Sequence, residues 1–297
     1  MYERLKKVFN LVGVIDKTRY DNYEKEEHLK DVSSIFVVGL AYPKITLKQQ
    51  DDKLVGSIYT YGYDYHSVIK KIASEALKGY EYTILVDNHS LDERRCLELT
   101  GLAYLAKNDL MINQELGSYF FIGLILTKDK YPEVIVENND SCGDCMICIN
   151  SCPVNALEGG FDINKCMSAN NQLKEPFGED LIKKNYLLLG CDICQQVCPK
   201  NKDIEGKYHE DLQVKETAYV LIEDLFKLSN KEFQKKYGKH AYLWKGRTLL
   251  LRNALTLLVR QKNTKYNDLI KETLKSNKYP KWYKEDVKKI LPILESV

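Results

Sequence analysis

The stretch CGDCMICINSCP, residues 142–153, decides the fold of the middle of this chain. Its cysteines follow the spacing C-x2-C-x2-C-x3-C-P, which places three thiolates on one tight loop. Such a loop can cap three irons of a four-iron cube, while the fourth cysteine points the opposite way and serves another cluster. Pro153 prevents the turn from continuing as a helix. The spacing therefore predicts a 4Fe–4S site that shares ligands with a second set of cysteines.

That second set of cysteines lies downstream and repeats the x2 and x3-Pro spacing. Its first member, Cys166, is separated from Cys191 by the loop 167–190. We therefore assign eight of the nine cysteines to two 4Fe–4S clusters. Cluster one takes Cys142, Cys145, Cys148 and Cys198, and cluster two takes Cys152, Cys166, Cys191 and Cys194.

Zinc is the alternative metal for these cysteines, because CxxC pairs also form four-thiolate zinc sites. The repeated x3-Pro spacing is more specific for iron–sulfur clusters. The remaining cysteine, Cys96, lies in RRCLEL (94–99) and is expected to be a small buried side chain on a helix. Without a secretory signal, this cysteine content indicates metal or redox chemistry rather than disulfides.

Apolar runs of strand length precede the cysteines and alternate with helical patterns. Strands are predicted at 33–43, 82–87 and 117–127. Residues 1–30 are charged and are expected to be partly helical. Residues 30–137 are therefore predicted to form an α/β or α+β domain.

Two helices are predicted between these strands. Residues 64–77 have apolar side chains at helical spacing, and Asp64 is a candidate N-cap. Ser90 followed by Glu93 has the spacing of a capping box, which predicts a helix that continues to about Thr100.

The C-terminal part is predicted to be helical throughout 216–295, with Ser229 as a cap. The segment TLLLRNALTLLVR (248–260) is apolar on nearly every side, which predicts a helix buried between neighbours. Antiparallel helix pairs of this length resemble HEAT-type repeats. The chain is thus predicted to be an α+β protein with domains at 1–137, 138–204 and 205–297.

Charge is unevenly distributed along the chain, although the net charge is only +2. From Lys200 to Val297 there are 22 Lys/Arg and 13 Asp/Glu, against 22 and 29 in the remainder. A basic third on an acidic body indicates a polyanionic partner, and the alternative is a solvated lysine-rich helical surface. No apolar run approaches the roughly 18 residues of a membrane span, and the N-terminus lacks an apolar signal segment, so we expect a cytoplasmic protein without membrane contact.

Several motifs, together with both cysteine sets, resemble the epoxyqueuosine reductase family over about 35–260. They are YTYGYDYH (59–66), ILVDNHSLDER (84–94), GLAYLAKNDLMINQELGSYFFIGLILT (101–127), GCDICQQVCP (190–199) and WKGRTLLLRNALTLL (244–258). The resemblance implies a cobalamin-binding α/β domain related to reductive dehalogenases, a ferredoxin-like double-cluster insert and a HEAT-like tail that faces tRNA. It also implies reduction of epoxyqueuosine to queuosine in tRNA. Electrons would pass from an external low-potential donor, such as ferredoxin or flavodoxin, through two 4Fe–4S clusters to cobalamin.

The resemblance also implies roles for individual residues. Asp87 matches the acid that protonates the departing oxygen, and a general acid is expected to have a raised pKa. The bland alternative for Asp87 is a turn residue. Tyr65 and His66 match the family's Asp-Tyr-His, and Arg94 matches a family arginine whose alternative is a surface ion pair. Positions that match cobalamin contacts, partly through backbone atoms, are Ser57, Lys107, Met111, Ile122 and Ser168.

The chain departs from the family pattern around the expected substrate rather than around the clusters. MSANNQ (167–172) follows Cys166 where the family has Ile-Ser-Tyr-Leu-Thr-Ile-Glu, Ala106 stands where glycine is usual, and the proline expected near Ser90 is missing. Two alternatives therefore stay open. The chain is either a cobalamin-dependent reductase of another substrate or an iron–sulfur electron-transfer protein with a vestigial corrin site.

Overall fold

The computed structural model describes residues 1–204 and 206–296, which form two compact units. Unit one comprises Met1–Lys44, Tyr63–Cys148 and Gln195–Gln213, and unit two comprises Ile45–Gly62, Ile149–Cys194 and Val214–Val297. Each unit is assembled from three separate stretches, so the units do not follow the consecutive domains expected from the sequence. That three-domain division stays a prediction.

The described residues contain strands and helices in a mixed order. The strands are β1 (Leu11–Asp16), β2 (Ser34–Ala41), β3 (Lys53–Val55), β4 (Thr83–Leu85), β5 (Tyr104–Leu105), β6 (Met111–Ile112), β7 (Phe120–Thr127) and β8 (Tyr219–Leu221). The helices are α1 (Tyr2–Leu5), α2 (Tyr65–Ala76), α3 (Glu93–Leu99), α4 (Ile147–Ser151), α5 (Met167–Asn170), α6 (Glu179–Lys184), α7 (Ile193–Gln196), α8 (Ile222–Lys227), α9 (Asn230–Tyr237), α10 (Arg247–Gln261), α11 (Asn267–Lys275) and α12 (Lys281–Glu295).

Unit one is built around a sheet with the strand order β1-β2-β7-β4. Every neighbouring pair is antiparallel, and Ser34 lies opposite Thr127 at one end of the central pair. All eight residues of β2 are buried, which explains its unbroken apolar sequence. The three strands predicted from the sequence are present, and the antiparallel pairing selects the α+β alternative over α/β. Strand β1 lies in the segment that was expected to be partly helical.

Helices α2 and α3 of unit one each begin at an Asp N-cap. Asp64 caps α2 as predicted, and its side chain accepts a hydrogen bond from the backbone N–H of His66. The capping box predicted at Ser90 is wrong, because α3 begins only at Glu93 and Asp92 is its cap. The Ser90 hydroxyl instead donates to Glu26 at 2.6 Å. Cys96 is fully buried on α3, as expected.

Unit two has its own apolar core, in which α10 is the central helix. All ten residues from Leu249 to Leu258 are buried, which confirms the prediction of a helix surrounded by neighbours. Ser229 caps α9 in a capping box with Glu232, also as predicted. Residues 216–295 are not helical throughout, because Tyr219–Leu221 forms strand β8, which pairs with β3 in an antiparallel ribbon. The HEAT-like relation and the relation to reductive dehalogenases stay predictions.

In the part of the chain that the structure describes, no helix is long and apolar enough to cross a bilayer.

Candidate iron–sulfur and acid–base sites

The four cysteines assigned to cluster one all belong to unit one. Burial raises the pKa of the Cys198 thiol, and the neighbouring Cys142 and Cys145 raise it further. These three sulfurs therefore lie close together, although Cys198 is far from the other two in sequence. Cys148 is buried at the start of α4. Unit one thus contains one complete thiolate quartet.

Lys107 fastens the loop that carries this quartet. Its backbone N–H donates to the Cys142 sulfur at 3.5 Å, and its Nζ donates to the carbonyl oxygens of Gly143 at 2.7 Å and Cys145 at 3.2 Å. An N–H aimed at a thiolate sulfur stabilises the negative charge there. Lys107 is therefore a support of the cluster-one loop rather than an ordinary solvated lysine.

The four cysteines assigned to cluster two all belong to unit two. The Cys152 sulfur accepts a hydrogen bond from the backbone N–H of Ala156 at 3.3 Å. The Cys191 sulfur accepts one from the Tyr186 hydroxyl at 3.7 Å. Donors aimed at sulfur are the surroundings that thiolate ligands need, so the second quartet also fits an iron–sulfur cluster.

The segment around Cys191 is fixed by close contacts with the loop that contains Ser57. The Ser57 hydroxyl donates to the buried Asp192 carboxylate, whose other oxygen accepts the backbone N–H of Ile58 at 2.9 Å. Gly190 has φ +82°, and a Cβ added there would lie 2.6 Å from the Ser57 Cβ. Only glycine satisfies both the left-handed backbone and this close approach.

A buried polar network joins α10 to the segment between Cys166 and Cys191. The Arg252 guanidinium donates to the carbonyl oxygens of Leu173 at 2.9 Å and Glu175 at 2.6 Å. The Asn253 side chain donates to the backbone carbonyl oxygen of Asn171. The Asn171 side chain in turn donates to the Gly190 carbonyl and accepts from the Gly190 N–H. Sequence reasoning missed this network. Its signal was the Arg-Asn pair in a helix that is otherwise apolar on all sides.

A mononuclear metal site requires side chains that converge on one point, at about 2.3 Å from a zinc ion for thiolates. Among the described residues, no three His, Cys, Asp or Glu side chains converge in this way.

A second site in unit one surrounds the Asp87 carboxylate. The Tyr65 hydroxyl donates to Asp87 Oδ2, and His66 Nε2 lies 3.1 Å from the same oxygen. The other ring nitrogen of His66 lies 2.7 Å from Asp64 Oδ1. The Tyr65 ring is fixed by stacking on Phe121, with the ring centroids 4.0 Å apart. The result is a carboxylate–imidazole–carboxylate array in which both carboxylates are partly exposed, Asp87 (45%) more than Asp64 (34%).

The backbone of Asp87 is held in a turn that few residues adopt. Asp87 and Asn88 have φ +47° and +53°, and both residue types tolerate the left-handed region better than most. The Asp87 N–H donates to Glu93 Oε1 at 2.8 Å, and His89 Nε2 lies 2.9 Å from the same oxygen. Burial raises the pKa of Glu93 to about 8. The turn therefore presents the Asp87 side chain from a fixed backbone.

The proton of this array belongs to the imidazole rather than to the expected acid. Burial alone would raise the pKa of Asp87, but His66 and Tyr65 outweigh burial and hold that pKa below its ordinary value. Asp64, followed by Asp87, raises the pKa of His66 to about 9. The expectation of a raised pKa at Asp87 is therefore wrong for this structure. At neutral pH, His66 carries the proton next to an ionised Asp87.

Comparisons with known proteins support the iron–sulfur sites. Residues 141–201 match the family of 4Fe–4S double cluster binding domains. Over 171 residues the chain is 36% identical to the epoxyqueuosine reductase of Staphylococcus aureus, an alignment that covers 57% of this chain and 45% of that protein. Over this part, the chain is similar to epoxyqueuosine reductases, and its cysteine segment is similar to double-cluster domains. It spans about half the length of the curated epoxyqueuosine reductases that it matches.

Solved epoxyqueuosine reductases have the same fold as this chain. The enzyme from Streptococcus thermophilus superimposes with a TM-score of 0.84 at 23% identity, covering 99% of this chain and 90% of that one. An epoxyqueuosine reductase solved with an epoxyqueuosine-modified tRNA-Tyr stem loop superimposes with a TM-score of 0.79 at 23% identity, covering 99% of this chain and 97% of that one. At this identity the likeness shows the fold, with mixed helix and sheet.

The positions that match cobalamin contacts in the epoxyqueuosine reductase family are divided between the units. Met111, Ile122 and Lys107 lie in unit one, and Ser57 and Ser168 lie in unit two. Ile122 and Ser168 are partly exposed, whereas Met111 and Ser57 are buried. The Ser57 hydroxyl and the Lys107 ammonium are already hydrogen-bonded to protein atoms. The roles of all five stay predictions.

Arg94, the other position matched to the epoxyqueuosine reductase family, forms an ion pair with Asp109 at 2.8 Å and is 44% exposed. This geometry agrees with the surface ion pair that was the alternative.

Proposed function

We propose that this chain is a cobalamin-dependent reductase that converts epoxyqueuosine to queuosine in tRNA. The observation that carries the proposal is in unit one, which contains a complete thiolate quartet and also the proton-bearing array around Asp87. Reduction of an epoxide to an alkene requires two electrons and two protons, and its oxygen leaves as water. A unit that combines electron-carrying and proton-donating groups fits this reaction.

The clusters would receive electrons one at a time from an external low-potential donor of the ferredoxin or flavodoxin type. When bound, cobalamin supplies the cobalt centre that delivers electrons to the epoxide carbons. The partly exposed Ile122 of unit one can contact a corrin through its side chain. Ser57, Lys107 and Met111 would contribute mainly through backbone atoms, because their side chains are buried or already bonded. The residues present fit the cofactor to this extent.

The chain's own contribution to the chemistry is a positioned proton. His66 holds it between Asp64 and Asp87, and Asp87 lies at the more exposed end of the array. As negative charge develops on the departing oxygen, the proton passes through the Asp87 carboxylate to that oxygen, and Asp64 balances the charge on the imidazole. Tyr65 orients the carboxylate through its hydroxyl. Asp87 is thus the catalytic residue, and His66 supplies its proton.

A tRNA partner is supported by the charge of the C-terminal third. The C-terminal helices of unit two and the loops between them expose many lysines that can contact phosphates. They are Lys227, Lys231, Lys235, Lys236, Lys262, Lys265, Lys271, Lys275, Lys278, Lys281, Lys288 and Lys289. A relative of the same fold has been solved with a modified tRNA stem loop. We propose that these lysines bind the tRNA backbone and that the protein acts in the cytoplasm.

The proposal is tested by incubating anaerobically reconstituted protein with cobalamin, a chemical low-potential reductant and tRNA that carries epoxyqueuosine. Nucleoside mass spectrometry is expected to show loss of one oxygen atom from the modified base. If the protein carries both clusters and a corrin but leaves the base unchanged, another substrate must be sought. If the protein carries both clusters and retains no corrin absorption, the electron-transfer alternative is correct.

A further inference from the structure

Tyr186 donates to a ligand sulfur through its side chain rather than through its backbone. The hydroxyl donates to Cys191 Sγ at 3.7 Å. The donors to Cys142 and Cys152 are the backbone N–H groups of Lys107 and Ala156. A side-chain donor can be removed by substitution, and its effect on a cluster can therefore be isolated.

The direction of this hydrogen bond is fixed by a second one. The backbone N–H of Asp192 donates to the Tyr186 oxygen at 2.8 Å, which occupies a lone pair and leaves the O–H free to point at the sulfur. A hydroxyl that accepts one hydrogen bond also donates a stronger one. The two hydrogen bonds therefore form a short chain from the Asp192 N–H through the Tyr186 hydroxyl to the Cys191 sulfur.

The groups on both sides of this contact hold it in place. Gly190 is hydrogen-bonded through both its N–H and its carbonyl to the Asn171 side chain. Asp192 is buried and held by Ser57 and by the backbone N–H of Ile58. The Tyr186 carbonyl accepts from the side chain of Gln49 at 3.0 Å. Neither the sulfur nor the phenol can move away without breaking several buried hydrogen bonds.

We propose that Tyr186 sets the reduction potential of cluster two, by donating a hydrogen bond to its Cys191 ligand. The inference rests on the iron–sulfur clusters of the proposed function. When a 4Fe–4S cluster accepts one electron, negative charge increases on its sulfurs, so a donor aimed at one of them stabilises the reduced state more than the oxidised state. Tyr186 thus makes cluster two easier to reduce by a low-potential donor, and it leaves cluster one unaffected.

The test is an EPR-monitored redox titration of anaerobically reconstituted wild-type protein and the Tyr186→Phe variant. The variant keeps the ring and removes the donor. We expect full iron content, a more negative potential for one cluster and an unchanged potential for the other. The matched control is Tyr242→Phe, which removes another buried hydroxyl of unit two, one that donates to the Thr217 carbonyl at 2.7 Å. Neither potential is expected to change in this control.

Three results would overturn the inference. The first is a Tyr186→Phe protein in which both reduction potentials are unchanged. The second is a shift that is not specific, either because both clusters of Tyr186→Phe shift equally or because Tyr242→Phe shows the same shift. A third is loss of iron from Tyr186→Phe alone, which would assign Tyr186 to cluster assembly instead of tuning. Absence of clusters from the wild-type protein would instead contradict the proposed function, so the two failures are distinguishable.

Discussion

The buried ion pair between Arg252 and Asp286 gives a quantitative test of how unit two is held together. Both side chains are 0% exposed, and their closest N–O distance is 3.3 Å. Arg252 also stacks over the Phe177 ring at 3.6 Å, and Asp286 accepts the Phe177 N–H at 2.8 Å. Burial lowers the pKa of Arg252 to about 10, and Asp286 opposes this effect without cancelling it. Replacing Arg252 with Met leaves the buried Asp286 carboxylate with only the more distant Lys289 ammonium, 3.8 Å from Oδ1.

Breaking one side of a buried pair destabilises a protein by about 3–5 kcal/mol. Arg252→Met also removes the donors to the carbonyls of Leu173 and Glu175, and each unsatisfied buried acceptor adds about 1–3 kcal/mol. For a unit of this size, such a loss lowers the unfolding midpoint by on the order of 10 °C or more. The assay is thermal unfolding of the cluster-loaded protein followed by circular dichroism.

The double variant Arg252→Met with Asp286→Leu separates charge from hydrogen bonding. It also removes the buried carboxylate that lost Arg252, so part of the stability is expected to return, but the two carbonyls still lack donors. Lys271→Ala is the matched control, because it breaks an exposed ion pair with Glu295, which lies on α12 as Asp286 does. This variant is expected to leave the unfolding midpoint unchanged. An Arg252→Met protein that unfolds at the wild-type midpoint would refute the reasoning.

Three further outcomes are expected. Gly190→Ala should lose cluster two, whereas Gly159→Ala, with a similar φ of +75° and nothing within 4 Å of its added Cβ, should keep it; equal iron contents would contradict the steric argument. Asp87→Asn keeps the left-handed turn and both clusters but should abolish turnover, measured by nucleoside mass spectrometry, and full activity would remove Asp87 from the mechanism. Turnover should be constant through neutral pH and fall as pH rises through about 9, where His66 loses its proton. Asp64→Asn removes the partner that raises the pKa of His66 most, so turnover should begin to fall at lower pH. If turnover falls at the same pH as in the wild-type protein, His66 is not the source of the proton.

Strands and helix caps that are specified by short stretches of sequence could be predicted from those stretches. The central strands β2 and β7 are long apolar runs. Asp64 caps α2, and Ser229 caps α9. The cysteine quartets were assigned from spacing alone, and each quartet falls within a single unit of the fold. The spacing of ligands on one loop is a local property, so the sequence specifies it directly.

Elements that depend on distant contacts were missed. Strand β1 is a buried apolar run between charged segments, and its pairing with β2 identifies it as a strand. The assembly of each unit from three distant stretches likewise has no local signal in the sequence. The resemblance indicated Asp87, but the proton on His66 depends on two carboxylates on opposite sides of one imidazole ring. Such a charge balance is visible only once the side chains are placed.

The most direct test of the account is iron and acid-labile sulfide analysis of oxygen-free preparations, made on the wild-type protein and on one variant of each quartet. The wild-type protein should contain about eight irons and eight sulfides per chain, as two 4Fe–4S clusters require. Cys198→Ser should impair only cluster one, and Cys166→Ser only cluster two. Zinc in place of iron, or the loss of both clusters' EPR signals in each single variant, would contradict two separate quartets.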